Sequence, residues 1–252
     1  HSKIIYADEV KEFDADDHIE DYTVLLFLTE QGYFKKITPA SWRMSSEHKL
    51  KDGDKIAWQT ESSNKQEIIF MTNQHQAYKA RLYDFEDSKA SVLGDFLPQK
   101  LGMDEGEVPI FAFLPLDYKS TMVIVFENGK VARFSLESFE TKTNRRRLTG
   151  AYSDKSKAVA FFTPVTDETE ITIFGTSSQG NRALTINTGM LDIKSTRSTQ
   201  GVQVMTLRGK HTVTDATLTP NLNEPERYKA KNIPALGAVL KDEDLPEQQM
   251  TL

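Results

Sequence analysis

The residues with the clearest chemical potential in this sequence are lysines and arginines. Arg145, Arg146 and Arg147 are consecutive, and Lys142 lies just before them, which makes this the densest basic cluster of the chain. Both residue types bind phosphate groups, and arginine can do so through two parallel hydrogen bonds. The cluster therefore predicts contact with a phosphate backbone. The alternative interpretation is a loop whose arginines pair with the acidic N-terminal segment.

Further bases recur at similar positions in four predicted β-hairpins. In each hairpin a hydrophobic strand and a tight turn precede a second strand that carries bases, and alternate residues of that strand are expected to point outward. The hairpin bases are Lys35, Lys36, Lys79, Arg81, Lys130, Arg133 and Arg182, and Arg43 follows the first hairpin. Arg197, Arg208 and Lys210 form a second candidate patch, where Thr196, Ser198 and Gln200 would add neutral phosphate donors. For each base, a solvated surface residue is the competing interpretation.

The sequence contains no convincing catalytic or metal-binding pattern. Gly175 and Gly180 have the spacing of a phosphate-binding loop, but Asn181 and Arg182 replace the lysine and hydroxyl residues that would contact phosphate and magnesium. The five histidines show no metal-ligand spacing, and the chain has no cysteine. The sequence therefore predicts a chain without catalytic residues, metal or cofactor.

Short apolar runs predict the strands that must position the bases. The first strands of the four hairpins are Thr23–Thr29, Glu67–Thr72, Met122–Glu127 and Glu170–Gly175. Their turns contain Gly32, His75, Gly129 and Gly180. The third hairpin is the clearest, because Asn128-Gly129 between apolar runs predicts a type I′ turn.

A second element also recurs, in which a leucine or methionine precedes a glycine-containing turn with acids or bases and then another apolar strand. Its examples are the runs 50–58, 103–113 and 204–210. A repeat of about 40 to 50 residues with four strands per unit is typical of a β-propeller blade. We predict an all-β chain, a β-propeller or β-pinwheel of about five four-stranded blades, within a range of four to six. A β-sandwich with long loops is the alternative, and helix is expected only weakly, at Asp84–Leu93 and from Lys241 onward.

The charge distribution is uneven along the chain. The net charge is -6, yet the stretch from Lys119 to Lys157 holds nine bases and four acids. A polyanion responds to the field within about 10 Å, so one basic face can bind it despite a negative total. We expect an acidic lead-in and first strand at 1–22, one DNA-binding propeller domain at 23–240 and an acidic tail at 241–252. No signal peptide or membrane-spanning run is recognisable, which favours the cytoplasm.

The run TVLLFLTEQGYFKKI at 23–37 resembles the opening blade motif of the C-terminal domains of bacterial DNA gyrase and topoisomerase IV A subunits. The preceding KIIYADEVKEFDADDHIEDY is similar to the acidic segment that leads into that domain. Further blade-like runs follow in the family's order: VFENGKVARFSLESFETKTNRRRLTGAYS, GNRALTI, TRSTQGVQVMTL and YKAKNIPALGAVL. The resemblance covers nearly the whole chain.

This resemblance implies a non-catalytic β-pinwheel that binds and bends double-stranded DNA on a basic outer rim. The partners it implies are the B subunit together with the rest of the A subunit, in the bacterial cytoplasm with the nucleoid and not at a membrane, and ATP and magnesium would act elsewhere in the enzyme. The gyrase box is absent at 37–48, and its nearest relic is 197–202, which favours topoisomerase IV over gyrase. A propeller that serves as a protein-interaction scaffold without DNA binding is the alternative function.

Overall fold

The computed structural model describes residues 18–143, 145–164, 166, 168–218 and 221–246. Most of the predicted acidic lead-in and the last residues of the predicted tail therefore lie outside the described residues. The described chain divides into two compact units. Unit 1 extends to Leu116 and also contains Thr143–Thr149, and unit 2 contains Asp117–Lys142 and the chain from Gly150 onward. In these ranges no helix has the length and apolar character needed to cross a membrane.

Unit 1 holds two antiparallel sheets of four strands. In spatial order, sheet 1 consists of β3 (Ile56–Ser63), β1 (Thr23–Thr29), β2 (Tyr33–Ile37) and β6 (Asp95–Phe96). Sheet 2 consists of β10 (Arg147–Thr149), β5 (Gln76–Arg81), β4 (Glu67–Thr72) and β7 (Pro109–Phe113). The hairpins β1-β2 and β4-β5 are the ones that the sequence predicts.

Unit 2 repeats this arrangement with two more sheets. Sheet 3 consists of β11 (Ala158–Phe162), β8 (Thr121–Phe126), β9 (Lys130–Ser135) and β14 (Val202–Gln203). Sheet 4 consists of β15 (Val213–Leu218), β12 (Glu170–Gly175), β13 (Arg182–Asn187) and β16 (Ala238–Val239). The predicted hairpins are again confirmed, with the third starting and ending its first strand one residue earlier than expected.

All four sheets share one connectivity. The outer strand, β3, β7, β11 or β15, pairs with the first strand of the hairpin, with a register shift at the same end in each sheet. The fourth strand, here called the return strand, pairs with the second strand of the hairpin. In the first three sheets the return strand follows the next hairpin in the sequence. Successive sheets thus exchange strands, as the β-pinwheel prediction requires.

The number of blades is four in the described residues, and the expected fifth is not supported. The reason lies in the C-terminal stretch from Pro225 to Val239. It begins with a 3-10 turn and ends in the return strand of sheet 4, so it replaces the element that a fifth hairpin would otherwise introduce. A strand contributed in this way satisfies the backbone groups of β13 without another blade.

Each return strand ends a longer stretch, here called the return segment. The four return segments are 82–96, the described residues of 136–149, 188–203 and 225–239, and each begins with a 3-10 turn. The helix predicted at Asp84–Leu93 is wrong, because this stretch follows the 3-10 turn with irregular backbone and a bridge to β2, in which the Ser88 N–H donates to the Lys36 carbonyl at 2.7 Å. The described helices are α1 (Pro39–Met44), capped by the Thr38 hydroxyl, and the single turn α2 (Leu97–Lys100). In the described stretch 242–246, Asp242–Asp244 is helical, as a 3-10 turn.

The turn of the third hairpin also differs from the prediction. Asn128 does not have a positive φ angle, whereas Gly129 has φ of 84° and donates its N–H to the Phe126 carbonyl at 3.0 Å. The loop therefore has three residues with the left-handed position last, instead of a two-residue type I′ turn. In the second hairpin His75 occupies the same position with φ of 58°.

Each unit has its own core, formed by hairpin strands together with residues of the segments that pack on them. In unit 1 buried residues such as Val24, Phe34, Phe70 and Phe85 form the main cluster. In unit 2 the cluster includes Val123, Ile173 and Met205. All six residues of β8 are buried, so its apolar run reflects packing on both faces.

Candidate nucleic-acid interface

Several bases expected on the surface are buried in the structure. Four of them lie on the second hairpin strands and expose less than a tenth of their surface: Lys35 (0%), Lys36 (3%), Lys79 (9%) and Arg133 (6%). Four consecutive residues are buried in each of their strands, so the alternation of side chains does not place any of these bases in solvent. These four side chains do not offer their charge to a surface ligand.

Lys35 and Lys36 instead hold the first return segment. Lys35 Nζ donates to the Ala90 carbonyl at 2.9 Å and to the Lys49 carbonyl at 3.0 Å. Lys36 Nζ donates to the Leu82 carbonyl at 3.1 Å and lies 3.4 Å from an Asp87 carboxylate oxygen. A buried ammonium group requires such partners, because its desolvation is otherwise costly. The two lysines therefore stabilise 82–96 against β2.

Two arginines of unit 2 play the same part. Arg133 donates from one guanidinium nitrogen to the carbonyls of Thr188 and Leu191, both at 3.0 Å. The half-exposed Arg182 donates to the Gly237 carbonyl at 3.0 Å. The second strand of a sheet thus supplies a base to the carbonyl groups of its return segment in sheets 1, 3 and 4.

The buried position of Lys35 predicts a pH dependence of stability. Burial lowers the pKa of this lysine from 10.5 to about 8. Between these two values the unfolded chain binds more protons than the folded chain, so the contribution of Lys35 to the free energy of unfolding rises with pH. We expect urea unfolding between pH 7.5 and 10.5 to show this rise, and Lys35→Met to reduce it. An identical pH dependence in both proteins would contradict the assignment.

The three consecutive arginines do not share one role. Arg147 donates to Gln76 Oε1 at 2.6 Å, makes a short hydrogen bond and ion pair with Asp104, and lies over the Tyr78 ring. The hydrogen bond from Arg147 lowers the pKa of Asp104. Arg145 and Arg146 are exposed and form no ion pair in the described part of unit 1. Arg147 therefore anchors the return segment, and its two neighbours present their charge to solvent.

Arg197 is also an anchor. Its guanidinium donates to the carbonyls of Gly150 and Ser138 and lies over the Phe139 ring. Burial lowers the pKa of Arg197. Arg197 thereby fixes the return segment 188–203 to the start of the return segment 136–149, which directly follows β9.

Each return segment carries at least one exposed base, and the described return segments hold eight in all. They are Lys89, Lys142, Arg145, Arg146, Lys194, Arg227, Lys229 and Lys231. Lys229 is paired with Glu226 and Glu170, at 2.7 and 3.4 Å, and Arg227 Nε lies 3.1 Å from Asp244. The other six form no ion pair among the described residues. The bases on the hairpin strands thus hold the return segments in place, and exposed bases on the return segments are available to contact phosphate groups.

Sequence reasoning missed Lys89, Lys194 and Lys231 because it placed the interface on the hairpins. A pattern was available, since each of these lysines lies five to seven residues before the glycine that introduces a return strand, Gly94, Gly201 or Gly237. The remaining candidates lie elsewhere. Arg43, Arg81, Arg208 and Lys210 are exposed, and Lys130 is half-buried beside the turn of sheet 3.

The described part of the predicted acidic tail is docked on unit 2. Asp244 is buried, accepts a short hydrogen bond from Tyr228 and lies 3.1 Å from Arg227 Nε. The Asn223 N–H donates to the Asp244 carbonyl at 2.9 Å. Asp244 therefore belongs to the folded unit. The described residues also contain no group of three or more acids and histidines placed to hold a metal ion.

Comparison with known proteins agrees with this arrangement of sheets. A family model described as the DNA gyrase C-terminal domain, beta-propeller, matches residues 177–220. The DNA gyrase A subunit of Borreliella burgdorferi is 24% identical over 217 residues, which cover 82% of this chain. The DNA topoisomerase 4 A subunit of Staphylococcus epidermidis is 24% identical over 156 residues, or 60% of this chain. This chain is a homologue of gyrase and topoisomerase IV A subunits.

Solved structures of such subunits show the same fold. The crystal structure of the C-terminal domain of DNA topoisomerase IV matches with a TM-score of 0.66 and 20% identity, over 79% of this chain and 62% of that one. The structure of the DNA gyrase A C-terminal domain matches with a TM-score of 0.57 and 14% identity, over 89% of this chain and 80% of that one. The fold is of the propeller type with four-stranded blades, and the sandwich alternative is wrong.

The gyrase and topoisomerase 4 relatives match at similar identity, so the preference for topoisomerase IV stays a prediction. The chain spans about a quarter of the length of its gyrase relative, 26%, and 19% of its topoisomerase 4 relative. The likeness therefore concerns the propeller region of these proteins.

Proposed function

We propose that this chain is the DNA-binding and DNA-bending C-terminal domain of a bacterial type II topoisomerase A subunit, without catalytic residues of its own. The observation that supports the proposal most is the set of exposed bases on successive return segments. DNA affinity of this kind rests on phosphate neutralisation and the release of counterions, which depends on backbone contacts and not on sequence. A negative net charge is compatible with it because a polyanion responds to the local field of the exposed bases, which recur on this element, and not to the total charge.

The proposed role is to guide a DNA segment for strand passage by the remainder of the enzyme. Bending a site of 20 to 30 base pairs costs on the order of 1 to 6 kcal/mol, which added phosphate contacts must offset. The partners would be double-stranded DNA, the B subunit, and the rest of the A subunit, in the bacterial cytoplasm with the nucleoid. ATP and magnesium would be bound outside this domain. Without a gyrase box, we expect decatenation or relaxation to be favoured over negative supercoiling.

The test is a titration of a labelled duplex of roughly 40 base pairs with this chain at several salt concentrations, with energy transfer between the duplex ends as a measure of bending. The logarithm of the binding constant falls linearly with the logarithm of the salt concentration, and each lost phosphate contact makes this negative slope less steep by about one. We expect Arg145→Ala/Arg146→Ala to lower the slope by about two and the affinity about tenfold near 0.1 M salt.

The matched control is Lys51→Ala/Lys55→Ala, which removes the same charge from an exposed loop outside the return segments. It should change the affinity less than twofold. No binding by the unaltered chain at low salt would reject the proposal in favour of a protein-interaction scaffold. Equal losses in both variants would reject the return segments as the interface.

A further inference from the structure

A second set of loops recurs at the turn end of every sheet. In each sheet the first residue of the hairpin turn donates its N–H to the carbonyl of the residue just before the outer strand. The pairs are Glu30 and Lys55 at 2.9 Å, Asn73 and Val108 at 3.1 Å, Glu127 and Lys157 at 2.8 Å, and Thr176 and Thr212 at 2.9 Å. The five residues that end at each of these carbonyls are structurally equivalent. We name them the turn-end loops, 51–55, 104–108, 153–157 and 208–212.

The charges of these equivalent loops differ between the two units. The two loops of unit 1 contain two bases and five acids, whereas the two loops of unit 2 contain four bases and one acid. The bases of unit 2 are Lys155, Lys157, Arg208 and Lys210, all exposed. Since the backbone framework is the same, the difference is in the side chains alone. Among these loops, an excess of bases over acids is thus found only in unit 2.

The two basic loops meet at one place in unit 2, the turn of sheet 3. The Glu127 N–H bonds the last residue of one loop, Lys157, and the Glu127 carbonyl accepts from Val213, the residue after the other loop, at 2.9 Å. At the tip, the His211 N–H donates to the Arg208 carbonyl at 3.2 Å. Gly209 between the two bases has φ of 61° and nothing within 4 Å of the place where a Cβ would stand. The tip therefore offers two charges and bare backbone to a ligand.

These two basic loops are separate from the return-segment bases of the same unit. Lys194 N donates to the Arg133 carbonyl and the Lys194 carbonyl accepts from Ser135, both at 2.9 Å, at the end of β9 that is remote from its turn. Strand residues advance about 3.3 Å each, so the length of β9 separates the two sets by roughly 15 Å. That distance is close to the width of the major groove of B-DNA, about 12 Å.

We infer that the turn-end loops of unit 2 contact the second phosphate strand of a duplex whose first strand lies on the return segments. The inference rests on the proposed function and extends it from backbone affinity to recognition of duplex form. A single strand has only one phosphate row and cannot contact both sets across a groove. The turn-end loops of unit 1 would take no part, because they hold no excess of bases over acids.

The experiment compares the unaltered chain, Arg208→Ala/Lys210→Ala and the control Lys51→Ala/Lys55→Ala on a duplex of about 40 base pairs and on one of its single strands. The control removes equal charge from the equivalent loop of unit 1. For Arg208→Ala/Lys210→Ala we expect about tenfold weaker duplex binding, a salt slope lower by about two and a change below twofold on the single strand. Circular dichroism and the melting temperature check that the variants are folded.

The outcomes separate the two proposals. If the unaltered chain binds the duplex but the Arg208 and Lys210 variant behaves like the control, the inference is wrong and the proposed function stands. Equal loss on duplex and single strand would also overturn it, since contact across a groove needs both strands. If the unaltered chain does not bind DNA, both proposals are wrong.

Discussion

We expect Gly201→Ala to lower the free energy of unfolding of unit 2 by about 3 kcal/mol or more, which corresponds to a fall of roughly 10 °C in melting temperature. Gly201 precedes the return strand β14 and has φ of 76°. A Cβ at this position would lie 2.2 Å from the Val131 carbonyl oxygen and 2.6 Å from the Ala132 nitrogen. Both are backbone atoms of β9, so neither can move aside without separating the strands.

Gly209→Ala is the matched control for this prediction. Gly209 has a similar φ of 61°, but nothing lies within 4 Å of its Cβ position. The variant carries only the cost of a non-glycine residue in the left-handed region, about 1 to 2 kcal/mol. Urea and thermal unfolding of both variants would measure the difference. If the two lose the same stability, close packing of the return segment on β9 is not what requires glycine at position 201.

The second large effect is expected at Glu107, a buried carboxylate in unit 1. Its side chain accepts hydrogen bonds from Tyr78 Oη and Thr72 Oγ1, both at 2.6 Å, and from Gln76 Nε2 and the Asp104 N–H, both at 2.9 Å. Arg147 lies 3.7 Å away. Burial, followed by the hydrogen bond to Glu107, raises the pKa of Tyr78. The carboxylate therefore joins β4, β5 and β10 through one set of donors.

We expect Glu107→Ala to destabilise unit 1 by about 4 kcal/mol, because it leaves several buried donors unpaired and removes the buried acid next to Arg147. Glu105→Ala removes the same charge two residues earlier at an exposed position, and it should change stability by less than about 0.5 kcal/mol. Urea unfolding of the two variants tests the prediction. Similar stability for both would show that the carboxylate network is not a determinant of the fold of unit 1.

The hairpins were predictable because their information is local. Alternating and continuous apolar runs such as Thr23–Thr29 and Glu67–Thr72, interrupted by turn residues, locate the strands to within a residue. The failure at Asn128-Gly129 is also local in origin. The Asn-Gly pair fits a two-residue turn. In the structure β8 ends at Phe126 and β9 begins at Lys130, so the loop has three residues. The dipeptide alone does not reveal where the two strands end.

The candidate interface was predictable in composition and not in position. Lys35 and Arg133 have the residue type and spacing of surface bases, yet contacts distant in sequence bury them: Lys35 bonds Ala90, and Arg133 bonds Thr188. The carbonyl partners belong to return segments that arrive after another hairpin. In both pairs the partner lies 55 residues further along the chain, so the pattern of a single strand contains no information about it.

The all-β class, the four hairpins, the relationship to the gyrase and topoisomerase IV A subunits and the presence of many bases were all predictable from the amino-acid sequence. The folded arrangement was needed to establish that the blades number four in the described chain and that Lys35, Lys36 and Arg133 are internal. It was also needed to show that Arg147 anchors a return segment while Arg145 and Arg146 are exposed. The physical reason is that strand formation depends on neighbouring residues, whereas burial of a charge depends on which distant carbonyl or carboxylate group compensates its desolvation.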